Sequence, residues 1–133
     1  MNVVLVACSG KKLSSPAPAK DLYQSTLFLK SRRYAERHGD CWLILSAKHG
    51  LVDPETIVEP YDETLSRKTA SSRREWSTKV ARQLEGFKRD RLVVLAGDTY
   101  CGWTEGFEVD RPMRGMGIGR QLKFLTESAL ARA

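Results

Sequence analysis

Three short stretches, residues 2–7 (Asn-Val-Val-Leu-Val-Ala), 42–46 (Trp-Leu-Ile-Leu-Ser) and 92–96 (Leu-Val-Val-Leu-Ala), are almost continuously apolar, with no polar residues alternating through them. Strands that read this way are covered on both faces, as in a parallel sheet packed between helices. Helical segments separate the runs. In 21–38, Asp21 and Gln24 have capping-box spacing and Gly39 can end the helix in a left-handed conformation. In 72–85, Trp76, Val80 and Leu84, then Phe87, recur at helical spacing and Gly86 marks the stop. The last segment, 118–131, puts Ile118, Leu122, Leu125 and Ala129 on one side. The expected fold class is therefore α/β: a small, mostly parallel sheet with flanking helices. All 133 residues fit one such domain, which at that size buries roughly two thirds of its unfolded surface.

The sequence excludes several classes. The longest uncharged apolar runs, 3–8 and 92–97, fall far short of the ~18–20 residues that a bilayer crossing needs. The first residues lack the basic flank and cleavage site of an export signal, so a cytoplasmic location is expected. Cys8, Cys41 and Cys101 are odd in number and far apart, with no C-x-x-C pair, so neither structural disulfides nor zinc is expected. Twenty-two Lys and Arg against sixteen Asp and Glu give a formal charge of +6, which suits a polyanionic partner. The basic residues cluster: Lys30, Arg32, Arg33 and Arg37 in the first long helix, and Arg67, Lys68, Arg73 and Arg74 leading into the second. Two such zones could straddle a phosphate backbone.

In open parallel sheets ligands bind beyond the carboxyl ends of the strands. The loops expected there are Cys8-Ser9-Gly10-Lys11-Lys12, Ser46-Ala47-Lys48-His49-Gly50 and Gly97-Asp98-Thr99-Tyr100. All three are polar and all contain glycine. The lysine pair can receive a phosphate, but the P-loop spacing is absent. The glycines of 115–119 do not follow the first strand, so a dinucleotide site gains no support; with Arg114 and Arg120, Gly117 suits an anion at a helix start instead. The stretch 46–62 is the richest. His49 titrates near neutrality and can move a proton, Glu59 and Asp62 bracket Pro60-Tyr61 as two carboxylates on one loop, and Tyr23, Tyr61 and Tyr100 can stack on a base.

The motifs Val6-Ala7-Cys8-Ser9-Gly10-Lys11-Lys12, Lys20-Asp21-Leu22-Tyr23 and Leu45-Ser46-Ala47-Lys48-His49-Gly50-Leu51-Val52, the last followed by Glu59-Pro60-Tyr61, resemble the YaaA family of peroxide-stress proteins and the shorter bacterial domains related to it. The resemblance covers roughly the first half of the chain and the glycine-rich element 113–120. It implies a YaaA-like fold, DNA binding in protection from oxidative damage and, for the short domains, DNA glycosylases acting on oxidised thymine such as 5-hydroxymethyluracil.

The sharpest expectation is thus a DNA N-glycosylase in base-excision repair, with DNA as partner, a modified pyrimidine flipped from the duplex, no metal or other cofactor, and the chain acting as a monomer. Breaking the bond leaves positive charge on the sugar and negative charge on the base. Asp62, with Glu59 in reserve, is expected to activate water, and His49 with Lys48 to receive the departing base. Tyr23 and Tyr61 would hold that base, helped by Cys8, Gly10, Ser46, Gly50, Gly97 and Tyr100. Ser9, Lys11, Lys12, Arg33, Arg73, Arg114, Gly117 and Arg120 would face phosphates. A Schiff base through Lys12 or Lys48 is an alternative route. The competing functions are a non-catalytic DNA-binding module and an N-glycosidase or transferase acting on free nucleosides or nucleotides.

Overall fold

The computed structural model describes residues 1–8 and 10–130. In chain order its elements are β1 (Asn2–Ala7), β2 (Ala17–Pro18), α1 (Ala19–Leu22), α2 (Thr26–His38), β3 (Cys41–Ser46), β4 (Gly50–Val52), β5 (Ile57–Val58), α3 (Ala70–Gln83), β6 (Arg91–Leu95), β7 (Glu108–Asp110) and α4 (Ile118–Leu130). Five strands form one sheet in the order β4-β3-β1-β6-β7. The pairs β1–β3, β1–β6 and β6–β7 are parallel, and only β4 runs antiparallel, on the β3 edge. The α/β architecture read from the three apolar runs is the one observed.

Alternate residues of the central strands feed two cores. Val4, Val6 and Ile44 pack with Phe28 and Ala35 of α2 and Leu125 of α4. Val3, Leu5 and Leu45 face the other way, onto Trp76, Val80 and Leu84 of α3. Each fully buried side chain of this kind contributes about 1.5–3 kcal/mol relative to exposure. Helices on both faces explain why no polar alternation marks β1, β3 and β6.

Several local expectations are corrected. The first helical segment is broken, because Tyr23 is extended and bridges Lys12. Helix α2 therefore starts later, with Ser25 as its cap: the Ser25 hydroxyl accepts from the Phe28 amide at 3.1 Å. Gln24 instead donates to the Asp21 carbonyl at 2.6 Å. Gly39 has φ −93°, so it is not left-handed. It is small because a side chain there would meet Val4 and the Cys41 carbonyl, within 2.9 Å. Helix α3 begins at Ala70, two residues early, since the Thr69 hydroxyl accepts from the Ser72 amide at 3.1 Å. In α4, Leu125 is buried but Ile118 is 58% exposed, so the apolar stripe starts a turn later than its spacing suggests; Ala131, its expected end, lies outside the described residues. Among the described residues no helix is long and apolar enough to cross a membrane.

The topology decides where ligands gather. From β1 the chain moves to β3 on one side and later to β6 on the other. Beyond the carboxyl end of β1 the connections therefore diverge and leave a crevice.

Candidate functional site

The loop after β1 is held by its backbone. Gly10 sits at φ +70°, which a side chain disfavours. The turn lets Leu13 donate to the Leu22 carbonyl at 2.8 Å while Lys11 accepts from the Gln24 amide at 2.7 Å. These bonds fix Lys12 at the crevice: its ammonium lies 4.7 Å from the Tyr61 ring centroid and 5.7 Å from that of Tyr23, and it donates to the Gly10 carbonyl at 3.4 Å. Ser9 lies outside the described residues.

Tyr61 is the hub of the site. Its hydroxyl is 2.6 Å from Ser46 Oγ, 2.7 Å from the Tyr23 hydroxyl and 3.3 Å from Cys8 Sγ. Ser46 Oγ already accepts from the amides of Lys48 (3.3 Å) and His49 (3.1 Å), so its own hydrogen goes to Tyr61. Tyr23 and Cys8 then share the remaining hydrogen and lone pair of the phenol, which is fully satisfied. The Ser46 carbonyl accepts from the Trp76 indole at 2.8 Å, tying the network to α3. Burial, then the nearby Cys8 sulfur, push Tyr61 and Tyr23 well above the usual phenol range. Both stay protonated. Replacing Tyr61 by Phe keeps the ring but leaves the buried Tyr23 hydroxyl without its partner. Urea unfolding should show a loss of about 1–3 kcal/mol; a loss within about 0.5 kcal/mol, the range of neutral surface changes, would mean the network is not under load.

On one side of Tyr61 a cleft of about 390 Å³ is lined by Cys8, Gly10 and Lys12 from the β1 loop, Thr99 and Tyr100 from the β6 loop, and Asp62, Glu63, Thr64, Ser66 and Arg67 from the segment that enters α3. Burial raises the Tyr100 hydroxyl to about 12, so it is a donor at neutral pH. On the other side Lys48, His49 and Glu59 line a separate hollow of about 420 Å³. The expected Glu59/Asp62 pair is thus divided, because the irregular stretch 59–64 drives Tyr61 inward between them. The His49 ring meets Tyr61 edge-on at 5.6 Å. Burial, then Lys48 and Lys79, lower the His49 pKa, with Glu63 opposing, so at pH 7 it is a neutral imidazole rather than a cation.

Other expected contacts fall elsewhere. Tyr23 and Ser46 are both 0% exposed, so they position Tyr61 and cannot touch a base. Gly50, at φ +74°, turns β3 into β4, and a side chain there would collide with Gln83 of α3. Gly97 opens the 98–100 turn, its carbonyl accepting from the Tyr100 amide at 3.0 Å. The Lys11 side chain is exposed outside the cleft, and Arg33 lies exposed on the middle of α2. Gly117 and Arg120 stand exposed at the start of α4. The first basic zone mostly braces helices: Lys30 donates to Thr126 of α4 at 2.7 Å, and Arg32 pairs with Asp21 at 3.0 Å and Glu36 at 3.3 Å. His38 ties α2 to α4 through the Ser128 carbonyl at 3.2 Å.

Sequence reasoning missed Glu63, Thr64 and Ser66, and placed Arg67 only in a basic zone and Thr99 only in the third loop, not in the cleft they line. The readable signal for the first four is Leu65, a lone apolar residue in the polar run 62–68, which is 0% exposed and anchors that turn against the α3 core. Glu63 pairs with Lys68 at 3.0 Å, which, with Lys48 and His49 nearby, holds its carboxyl below the usual range. Among the described residues no group of three or more His, Cys, Asp and Glu is placed to hold a metal ion.

Comparison with known proteins covers nearly all of this architecture. The profile of a family of unknown function, DUF6884, matches residues 3–127, from β1 into α4. An uncharacterized protein of Bacillus subtilis strain 168, YfjM, is 33% identical over an alignment of 106 residues, with 72% of this chain and 69% of the relative covered. No solved structure matches. With its sheet, its cleft and both flanking helix layers inside the matched span, the chain belongs to the DUF6884 family.

Proposed function

We propose that the chain is a cytoplasmic DNA glycosylase that hydrolyses the N-glycosidic bond of a modified pyrimidine, with 5-hydroxymethyluracil as the first base to test. One observation carries this reading: the carboxylate of Asp62 and the ammonium of Lys12 line the same cleft at the carboxyl edge of the sheet. Cleavage of a glycosidic bond develops positive charge on the sugar and negative charge on the base, and fixed charges of opposite sign serve both. At about 390 Å³ the cleft has the size of a small-ligand pocket. That is room for one nucleotide and far too little for a duplex, so a target base must leave its stack to enter.

Asp62 is exposed to solvent, so it can hold and deprotonate the attacking water while its charge faces the developing oxocarbenium ion. Lys12, pinned over Tyr61, faces the departing base, and the protonated Tyr100 hydroxyl supplies a second donor. His49 and Lys48, assigned to the leaving group from the sequence, lie across Tyr61 and support that ring instead. The resemblance of the motifs to those of YaaA proteins adds support for a DNA substrate. Lys12 could also attack the sugar as an amine; borohydride trapping of a protein–DNA adduct separates that route from direct hydrolysis.

The test is a panel of single- and double-stranded oligonucleotides carrying uracil, 5-hydroxymethyluracil, 8-oxoguanine or hypoxanthine, scored for abasic sites under single-turnover conditions. Base release from a modified pyrimidine is expected. Binding with no abasic site anywhere in the panel would replace this reading by that of a non-catalytic DNA-binding module.

A further inference from the structure

The Asp62 cleft is the first of three hollows that share lining residues in turn. Thr99 lines both the cleft and an open groove of about 450 Å³ along the first turns of α3, where Arg73 and Arg74 stand. Asp98 and Gly102 line that groove and also a third depression of about 660 Å³, which reaches Arg111 and Arg114. The three hollows are thus linked in series around the 98–102 turn.

Their charges are not balanced. Arg111 holds Asp98 at 2.7 Å, Arg91 holds Asp110 at 2.9 Å and Lys68 holds Glu63 at 3.0 Å, so three of the four acids along the path are neutralised by neighbours. Arg67, Arg73, Arg74 and Arg114 form no ion pair among the described residues. Asp62 is left as the unpaired carboxylate at the inner end.

We propose that this series of hollows is a track for one nucleic-acid strand, which passes from the Asp62 cleft over Thr99 and along the 98–102 turn. Arg67, Arg73, Arg74 and Arg114 neutralise phosphates along it. A single line of cations suits one backbone, whereas a duplex presents two. The proposal rests on the glycosylase reading only for what occupies the inner cleft. It places the strand on the α3 side, away from the basic zone of α2.

The experiment is fluorescence anisotropy of a labelled oligothymidylate of about 12 nucleotides, a length within the range that such grooves bind, titrated with the full chain across a salt series. Each phosphate contact on a single strand contributes about 0.7 to the slope of log affinity against log salt. The combined variant R73Q/R74Q/R114Q should lose about 2 from that slope, while the control R33Q/R120Q should keep it. Should the triple variant fail to match the wild-type melting curve, R114Q alone, at an exposed site, should lose about 0.7.

An unchanged slope in the arginine variants, an equal loss in the control, no measurable binding by wild type, or a duplex of the same length bound more tightly would each overturn the track. Base release is read separately, on a modified trinucleotide, which carries fewer phosphates than the track has arginines. If release is absent while the slopes change as stated, the chemistry fails and the track stands. If release persists while the slopes do not change, the track fails and the chemistry stands.

Discussion

Replacing Trp76 by alanine is expected to lower the unfolding free energy by about 3–5 kcal/mol, the range for deleting a large buried aromatic side chain. Trp76 is 5% exposed and fills the space between α3 and the sheet, packing with Val3, Leu5 and Leu45 in one core and edge-on against Tyr100 at 5.5 Å. For a domain of this size the loss corresponds to a drop in Tm on the order of 10–20 °C. The indole also donates to the Ser46 carbonyl at 2.8 Å, so its loss loosens the residue whose hydroxyl holds both Tyr61 and the Lys48–His49 turn. Trp76→Phe separates the two effects. It retains most of the packing, orphans the carbonyl and should cost about 1–3 kcal/mol. Urea denaturation of both variants checks this; a Trp76→Phe protein as stable as wild type would mean that the hydrogen bond carries none of the load.

What was legible in the sequence follows from which forces act locally. Strands β1, β3 and β6 announce themselves because burial on both faces removes polar alternation, and their boundaries shift by at most a residue between sequence and structure. Strands β4 and β7 have three residues each and lie at the sheet edges, where one partner and partial burial leave no composition signal. Cys8, Lys12 and Tyr100 are readable as cleft residues because they sit in the loops just past β1 and β6. Asp62 is readable beside them only through its motif, and its partner Glu59 is misplaced because nothing in the spacing says that Tyr61 is driven inward between the two. Tyr23 reads as a base platform, yet its exposure is decided by the loop that folds Lys12 across it. The α2 cations look free in a linear reading, although Arg32 and Glu36 are four residues apart, a spacing that places them side by side on a helix.

Asp62→Asn should reduce single-turnover base release by about 10²–10⁴-fold, the usual contribution of a positioned acid–base group. The amide has nearly the shape of the carboxylate, and Asp62 is exposed, so folding should not change. What is lost, in the proposed reaction, is the negative charge facing the sugar and the ability to take a proton from water. Because the substitution also removes a negative charge from a cleft that holds Lys12 and Arg67, affinity for the modified strand should stay the same or rise, so the defect falls in the chemical step. Glu59→Gln is the discriminating control: it changes the same functional group three residues away, but its side chain lines the hollow across Tyr61, so release should remain near the wild-type rate. His49 adds a check on pH. Burial, Lys48 and Lys79 lower its pKa, so it is already neutral above its ordinary value of about 6.5, and His49→Ala should leave the shape of the pH–rate profile from 7 to 8 unaltered. A Glu59→Gln enzyme that is inactive beside a fully active Asp62→Asn enzyme would move the chemistry to the other side of Tyr61, where the neutral His49 and Lys48 would face the base in place of Lys12.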